Sequence, residues 1–173
     1  MDWRNDVSGH TVCEGDRIDL GGLEVSILEI PGHSSCCIAA YVPELKALFP
    51  TDGGGIPFDN TIVSSGNSNY TKYQQSLERL KDLEVDCYCA DHYGYITGNE
   101  AREFISKSIR MAKENRARIE EVYRATRDID AAAQKLTSSF YEENPNYFLS
   151  PEIFFDVHRQ MVRHVALVME GKA

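Results

Sequence analysis

Apolar residues alternate with polar ones in the first fifty positions and recur at helical spacing from position 70 onward, so the chain separates a strand-forming part from a helix-forming part. In "DRIDLGGLEVSILEI", Ile18 and Leu20 alternate before Gly21-Gly22, and Leu23, Val25 and Ile27 alternate after it, which predicts a β-hairpin. "CCIAAYVP" and "KALFP" are shorter and more continuously apolar, as strands buried on both faces would be. Four strands are expected before residue 50. From Asp52 to Asn69 follows a stretch rich in Gly, Ser and Asn, read as a loop, and unstructured connections longer than about 12 residues are often functional.

Tyr73, Leu77 and Leu80 then share one helical face, with Ser68 or Asn69 placed to cap it. "VDCYCA" reads as a short strand leading into "DHYGYITG", and a helix opens near Asn99. Ile105, Ile109, Ala112, Ile119 and Tyr123 keep helical spacing over a long segment that Arg116 interrupts. A second helix covers residues 130–141 with Ala133, Leu136 and Phe140 inward. A third opens at Ser150-Pro151-Glu152, with Ser as cap and Pro in the first turn, and ends at Gly171. "YEENPNYFLSP" reads as a hinge between the last two helices. Strands first and helices afterwards make an α+β chain.

The 173 residues suffice for one domain with a small appendage, and 42% hydrophobic with 26% charged residues is the composition of a globular protein. No apolar run approaches the roughly 20 residues of a spanning helix. The polar first ten residues have no apolar signal core, so no membrane role is expected and the cytoplasm is the expected compartment. A net charge of −9 opposes nucleic-acid binding. The five cysteines, Cys13, Cys36, Cys37, Cys87 and Cys89, are odd in number and lack C-x-x-C spacing, which favours buried reduced thiols over a disulfide framework. A redox role for Cys36-Cys37 or Cys87/Cys89 is the minor alternative.

His33, Asp52 and His92 share a local pattern: each follows an apolar strand and is flanked by small or glycine residues, where loops converge and ligands approach. Two imidazoles and a carboxylate suit zinc, iron or manganese. Equally, His33 could cap its turn, Asp52 could form an Asx-turn over the glycines, and His92 could be a half-buried core residue.

"GDRIDLGGLEVSILEIPGHSSCCIAAYVPELKALFPTDGG" followed by "YQQSLERLKDLEVDCYCADHYG" resembles the C-terminal half of the metallo-β-lactamase fold, the superfamily of glyoxalase II, lactonases and other metal-dependent hydrolases. The resemblance covers roughly residues 14–110. It implies the C-terminal half of an αββα sandwich, with a mixed or antiparallel sheet and flanking helices over residues 1–100 and a helical extension over 101–173. It also implies metal-ligand roles for His33, Asp52 as the bridge between two cations, and His92. In the family the metals activate a water molecule against an ester, thioester, lactone or phosphoester.

The family's H-x-H-x-D-H signature occurs nowhere in the chain, Thr51 stands where a glycine is common, and "ADHYG" replaces "pgHG". The expected reading is therefore a C-terminal portion, with half the metal shell absent, weak or no metal binding, no complete catalytic set of its own, and an apolar sheet face without intramolecular cover. Such a chain would form a homo-oligomer or join a missing N-terminal half. A small-molecule substrate belongs to the complete site. Tyr93, beside His92, is expected to narrow the pocket mouth. In the extension, Phe154, Val157, Met161, Val165 and Val168 share a face read mainly as core, and His158 is a candidate substrate contact. The alternative function is a non-catalytic binding or assembly module that uses the exposed sheet face and the C-terminal helices.

Overall fold

A computed structural model describes residues 9–172. The chain runs β1 (Arg17–Asp19), β2 (Glu24–Glu29), β3 (Ile38–Val42), β4 (Ala47–Phe49), β5 (Ile56–Phe58), β6 (Thr61–Val63), α1 (Tyr70–Leu80), β7 (Cys87–Cys89), β8 (Tyr95–Thr97), α2 (Gly98–Thr126), α3 (Ile129–Glu143) and α4 (Pro151–Met169). Six strands form one mixed sheet in the order β1-β2-β3-β4-β7-β8, and β5 pairs with β6 separately. All neighbours in the large sheet are antiparallel except β4 and β7. A parallel pair needs a crossover, and α1 lies within it.

Strand register assigns the two faces. Leu28 pairs with Ala39, Tyr41 with Leu48, Leu48 with Tyr88 and Tyr88 with Ile96, and this face packs on the helices. Its core joins Ile30, Ala39, Leu48 and Tyr88 to Leu80 of α1 and to Ala101, Phe104 and Ile105 of α2. Fully burying one such side chain contributes about 1.5–3 kcal/mol. The opposite face carries the pairs Ile18–Val25, Ile27–Ala40, Ala40–Phe49 and Cys89–Tyr95. There Ile18, Phe49 and Tyr95 are exposed at 40%, 45% and 73%. On this face the burial expected for β3 and β4 is met only in part: Val42 and Ala47 are buried at 7% and 6%, while Ala40 is half-buried and Phe49 exposed.

Helix α2 serves both parts of the chain. Its first turns complete the sheet core, while Ile119 and Tyr123 enter a second core with Ala132 and Leu136 of α3 and with Met161, Val162 and Val165 of α4. Residue 101 therefore lies inside a continuous helix. Asn69 caps α1 by accepting from the Lys72 N–H at 2.8 Å, and Ser150 caps α4, accepting from the Ile153 N–H at 3.5 Å.

Three expectations need correction. The stretch 52–69 contains the β5–β6 hairpin, closed by Asp59-Asn60 with Asp59 at φ 47°, a short turn whose positive φ an aspartate tolerates. "YIT", given no strand from the sequence, forms the edge strand β8, while α2 opens at Gly98, beside the expected Asn99. Among the described residues all five cysteines are free and none is fully buried: Cys13 and Cys36 are exposed, and Cys87 and Cys89 lie on the open sheet face.

Candidate metal site

His33 follows β2 in the turn Pro31-Gly32-His33. Gly32, at φ 147°, lies so close to α1 that a Cβ there would be 2.3 Å from the Tyr73 Cα. Its carbonyl accepts the Ser68 and Asn69 N–H groups, both at 3.0 Å, so the turn is clamped to the start of α1. The His33 Nδ1 is 3.1 Å from the Ser65 carbonyl oxygen, which only accepts. The Asn67 Nδ2 lies farther from the same atom, at 3.4 Å, so the nearer carbonyl assigns the proton to Nδ1 and leaves a lone pair on Nε2, the arrangement in which a backbone carbonyl orients a ligating imidazole.

Asp52 sits in a 3-10 turn, Thr51–Gly54, that ends β4. The glycines after it are required by space: a Cβ at Gly53 would lie 2.6 Å from Ile30 Cδ1, and one at Gly54 would lie 2.5 Å from the Tyr88 hydroxyl. The Ser65 hydroxyl donates to the Asp52 carbonyl and fixes the turn from the other side. The two carboxylate oxygens face different imidazoles: Oδ2 is 3.8 Å from His33 Nε2 and Oδ1 is 3.5 Å from His92 Nε2. Oδ1 is buried and, among the described residues, has no hydrogen-bond partner.

His92, in the turn after β7, stacks on Phe148 with ring centroids 4.5 Å apart at 29°. Tyr93, half exposed and at φ 65°, packs against Phe58 and Phe148 at 5.4 and 5.8 Å. The three strand-end residues thus come together around Asp52, with Tyr93 beside them.

The donor chemistry fits part of a metal site. A buried carboxylate oxygen lacking a partner, between two imidazoles, is an arrangement that a cation would satisfy. Among the described residues, however, no group of three or more His, Cys, Asp or Glu side chains forms a set that could hold one ion. The geometry gives the reason: Asp52 turns one oxygen to each histidine, so the donors divide into two pairs and each pair falls short of the usual four ligands.

The segment between α3 and α4, read as a hinge, roofs this site. Tyr147, Phe148 and Leu149, with Phe154 and Val157 of α4, close a cavity of about 320 Å³ over His33, Asp52 and His92. Of these residues the sequence pointed to Phe154 and Val157, as a face read mainly as core, but not to Tyr147, Phe148, Leu149 or Ser65. The aromatic density of "PNYFL" was the available signal for the roof, but only packing shows which way it folds.

His158 lies elsewhere. It lines a different cavity, of about 200 Å³, with Asn115 and Arg118, and its Nδ1–H donates to Thr137 Oγ1 at 2.9 Å, since the Thr137 hydroxyl proton goes to the Ala133 carbonyl. Phe154 packs edge-on against its ring and lies between it and the Asp52 cavity. Burial, with a smaller contribution from Arg118, pushes its pKa down to about 4. Because that value is below the ordinary histidine value of about 6.5, the unfolded chain binds the extra proton first. Stability is expected to be complete above pH 6.5 and to fall by on the order of 2–3 kcal/mol as the pH drops through about 4. Denaturant titrations should show His158→Asn removing most of that slope; an unchanged slope would assign it to other groups.

The residue pattern has a counterpart among known proteins. The model of the family described as "Metallo-beta-lactamase superfamily" matches residues 2–92, more than half of the chain. The chain belongs to this superfamily. A hydroxyacylglutathione hydrolase from Ruegeria pomeroyi is 49% identical over 93 residues, 51% of this chain and 33% of that protein. An acyl-coenzyme A thioesterase from Gallus gallus is 34% identical over 71 residues, 40% of this chain and 24% of that protein. The chain spans about a third of the length of the curated relatives it matches. A beta-lactamase domain protein of known structure from Burkholderia ambifaria superposes with a TM-score of 0.65 at 17% identity, over 94% of this chain and 47% of that one, and shares the fold. Among the described residues no helix is long and apolar enough to cross a membrane.

Proposed function

We propose that this chain supplies one side of the metal centre of a hydrolase that attacks an ester, thioester, lactone or phosphoester with water. The observation that carries the reading is the partnerless buried oxygen of Asp52 between the imidazoles of His33 and His92. Asp52, His33 and His92 would hold the metal, the histidines through the Nε2 atoms that face the Asp52 carboxylate. The Ser65 carbonyl holds the proton of His33 on the far nitrogen and so keeps the ligating one free. Zinc, iron or manganese, when bound, supplies Lewis acidity and an activated water. The names of the relatives, a hydroxyacylglutathione hydrolase and an acyl-coenzyme A thioesterase, favour thioesters among the candidate substrates. Cation affinity is expected to be low with these three donors alone, and catalysis to require ligands beyond them.

A second reading, an assembly module, is favoured by the open sheet face with exposed Ile18, Phe49 and Tyr95. Thermal unfolding with and without zinc separates the two. At zinc about a hundredfold above its Kd, linkage adds ~2.7 kcal/mol, which for a chain of this size raises the Tm by roughly 5–11 °C. The double variant His33→Ala/His92→Ala should lose that rise. A Tm indifferent to zinc, iron and manganese, together with concentration-dependent association that Phe49→Lys abolishes, would favour the assembly module instead.

A further inference from the structure

The cavity over Asp52 has two unlike ends. His33, His92, Asn67 and the two serines 64 and 65 gather around the carboxylate. The remainder is a wall of Ile56, Val63, Tyr147, Leu149, Phe154 and Val157, and among the described residues no lysine or arginine lines any part of it. Burial and the nearby negative charge of Asp52 hold the Tyr147 hydroxyl well above the ordinary tyrosine range, so it stays neutral. Phe148, stacked on His92, turns an aromatic face across the boundary between the two ends.

A charged substituent has no counter-ion in such a wall, and taking a carboxylate out of water without one is strongly unfavourable. An apolar group gains from the same burial. The volume, about 320 Å³, is at the low end of the roughly 300–1,000 Å³ typical of small-molecule pockets, which suits a short chain or a ring rather than a long lipid tail.

We propose that this cavity is an acyl pocket for an uncharged, short aliphatic or aromatic acyl group of an ester or thioester, and that a glutathione moiety does not enter it. The inference rests on the reading of Asp52 as the reacting end, but it concerns the apolar wall and can be tested without metal. Amide spectra of the isotopically labelled chain, in chelator, would be followed during titration with S-ethyl hexanethioate and separately with glutathione.

The hexanethioate should give saturable shifts at Val63, Phe154 and Val157, and glutathione should leave those residues unmoved. Val157→Trp, which fills the wall, should weaken the hexanethioate by at least about tenfold. Should that variant fail to keep dispersed spectra, Leu149→Trp, on the segment before α4, serves the same purpose. Saturation of the same residues by glutathione at equal or lower concentration would overturn the proposal. So would hexanethioate shifts confined to the open sheet face around Phe49 and Tyr95. Loss of the zinc response alone would count against the metal reading and leave these outcomes intact.

Discussion

Gly32→Ala is expected to destabilise the chain by roughly 3–5 kcal/mol, among the larger effects a single methyl group produces. The new Cβ would lie 2.3 Å from the Cα and 2.5 Å from the N of Tyr73. These are backbone atoms of a helix and do not yield as a side-chain tip does. The positive φ of 147° adds strain for any L side chain. To relieve the overlap, α1 must move off the turn, breaking the bonds from Ser68 and Asn69 to the Gly32 carbonyl and from the Ser76 hydroxyl to the Pro31 carbonyl. Guanidinium unfolding would measure the loss, with Gly94→Ala as the control. Gly94 also has positive φ but has no atom within 4 Å of its Cβ position, so it should cost only about 1 kcal/mol. Equal effects of the two substitutions would mean that contact with α1 is not what the glycine serves.

Asp52→Asn should separate stability from metal binding. The wild-type carboxylate keeps one oxygen buried without a partner, and leaving a buried charged group unsatisfied costs about 1–3 kcal/mol or more. Asparagine keeps the shape and removes the charge, so in chelator the variant is expected to be more stable than the wild type by about 1–2 kcal/mol. In zinc the order should reverse, because a neutral amide does not bridge two cations. Thermal unfolding in both conditions checks this. A variant less stable than the wild type in chelator would show that the carboxylate serves the fold rather than a ligand.

Local signals carried much of this structure. The hairpin at Gly21-Gly22, the face of Tyr73, Leu77 and Leu80, and the caps at Asn69 and Ser150 depend on neighbours a few residues away, and each is where its pattern placed it. The strands β5, β6 and β8 are no shorter than β1, β4 and β7, but they lie in stretches crowded with Gly, Ser and Asn that read as breaks, and β5–β6 turns on an Asp-Asn pair rather than on glycine. At the site, His33, Asp52 and His92 stood out because each ends a strand beside small residues. The orienting bond to Ser65 and the roof of Tyr147 and Phe148 did not, since both join segments far apart in the chain. His158 was legible as a histidine on an apolar helix but not as one turned away from the Asp52 cavity, because the residue between them, Phe154, comes from its own helix.

Long-range proton–nitrogen spectra of the imidazoles during zinc titration test the central claim most directly. The account predicts that the Nε2 resonances of His33 and His92 shift together as zinc is added, that His33 keeps its proton on Nδ1, and that His158, in its separate cavity, does not respond. Zinc shifts at other histidines with His33 and His92 unmoved, or no response from any histidine at millimolar zinc, would contradict it.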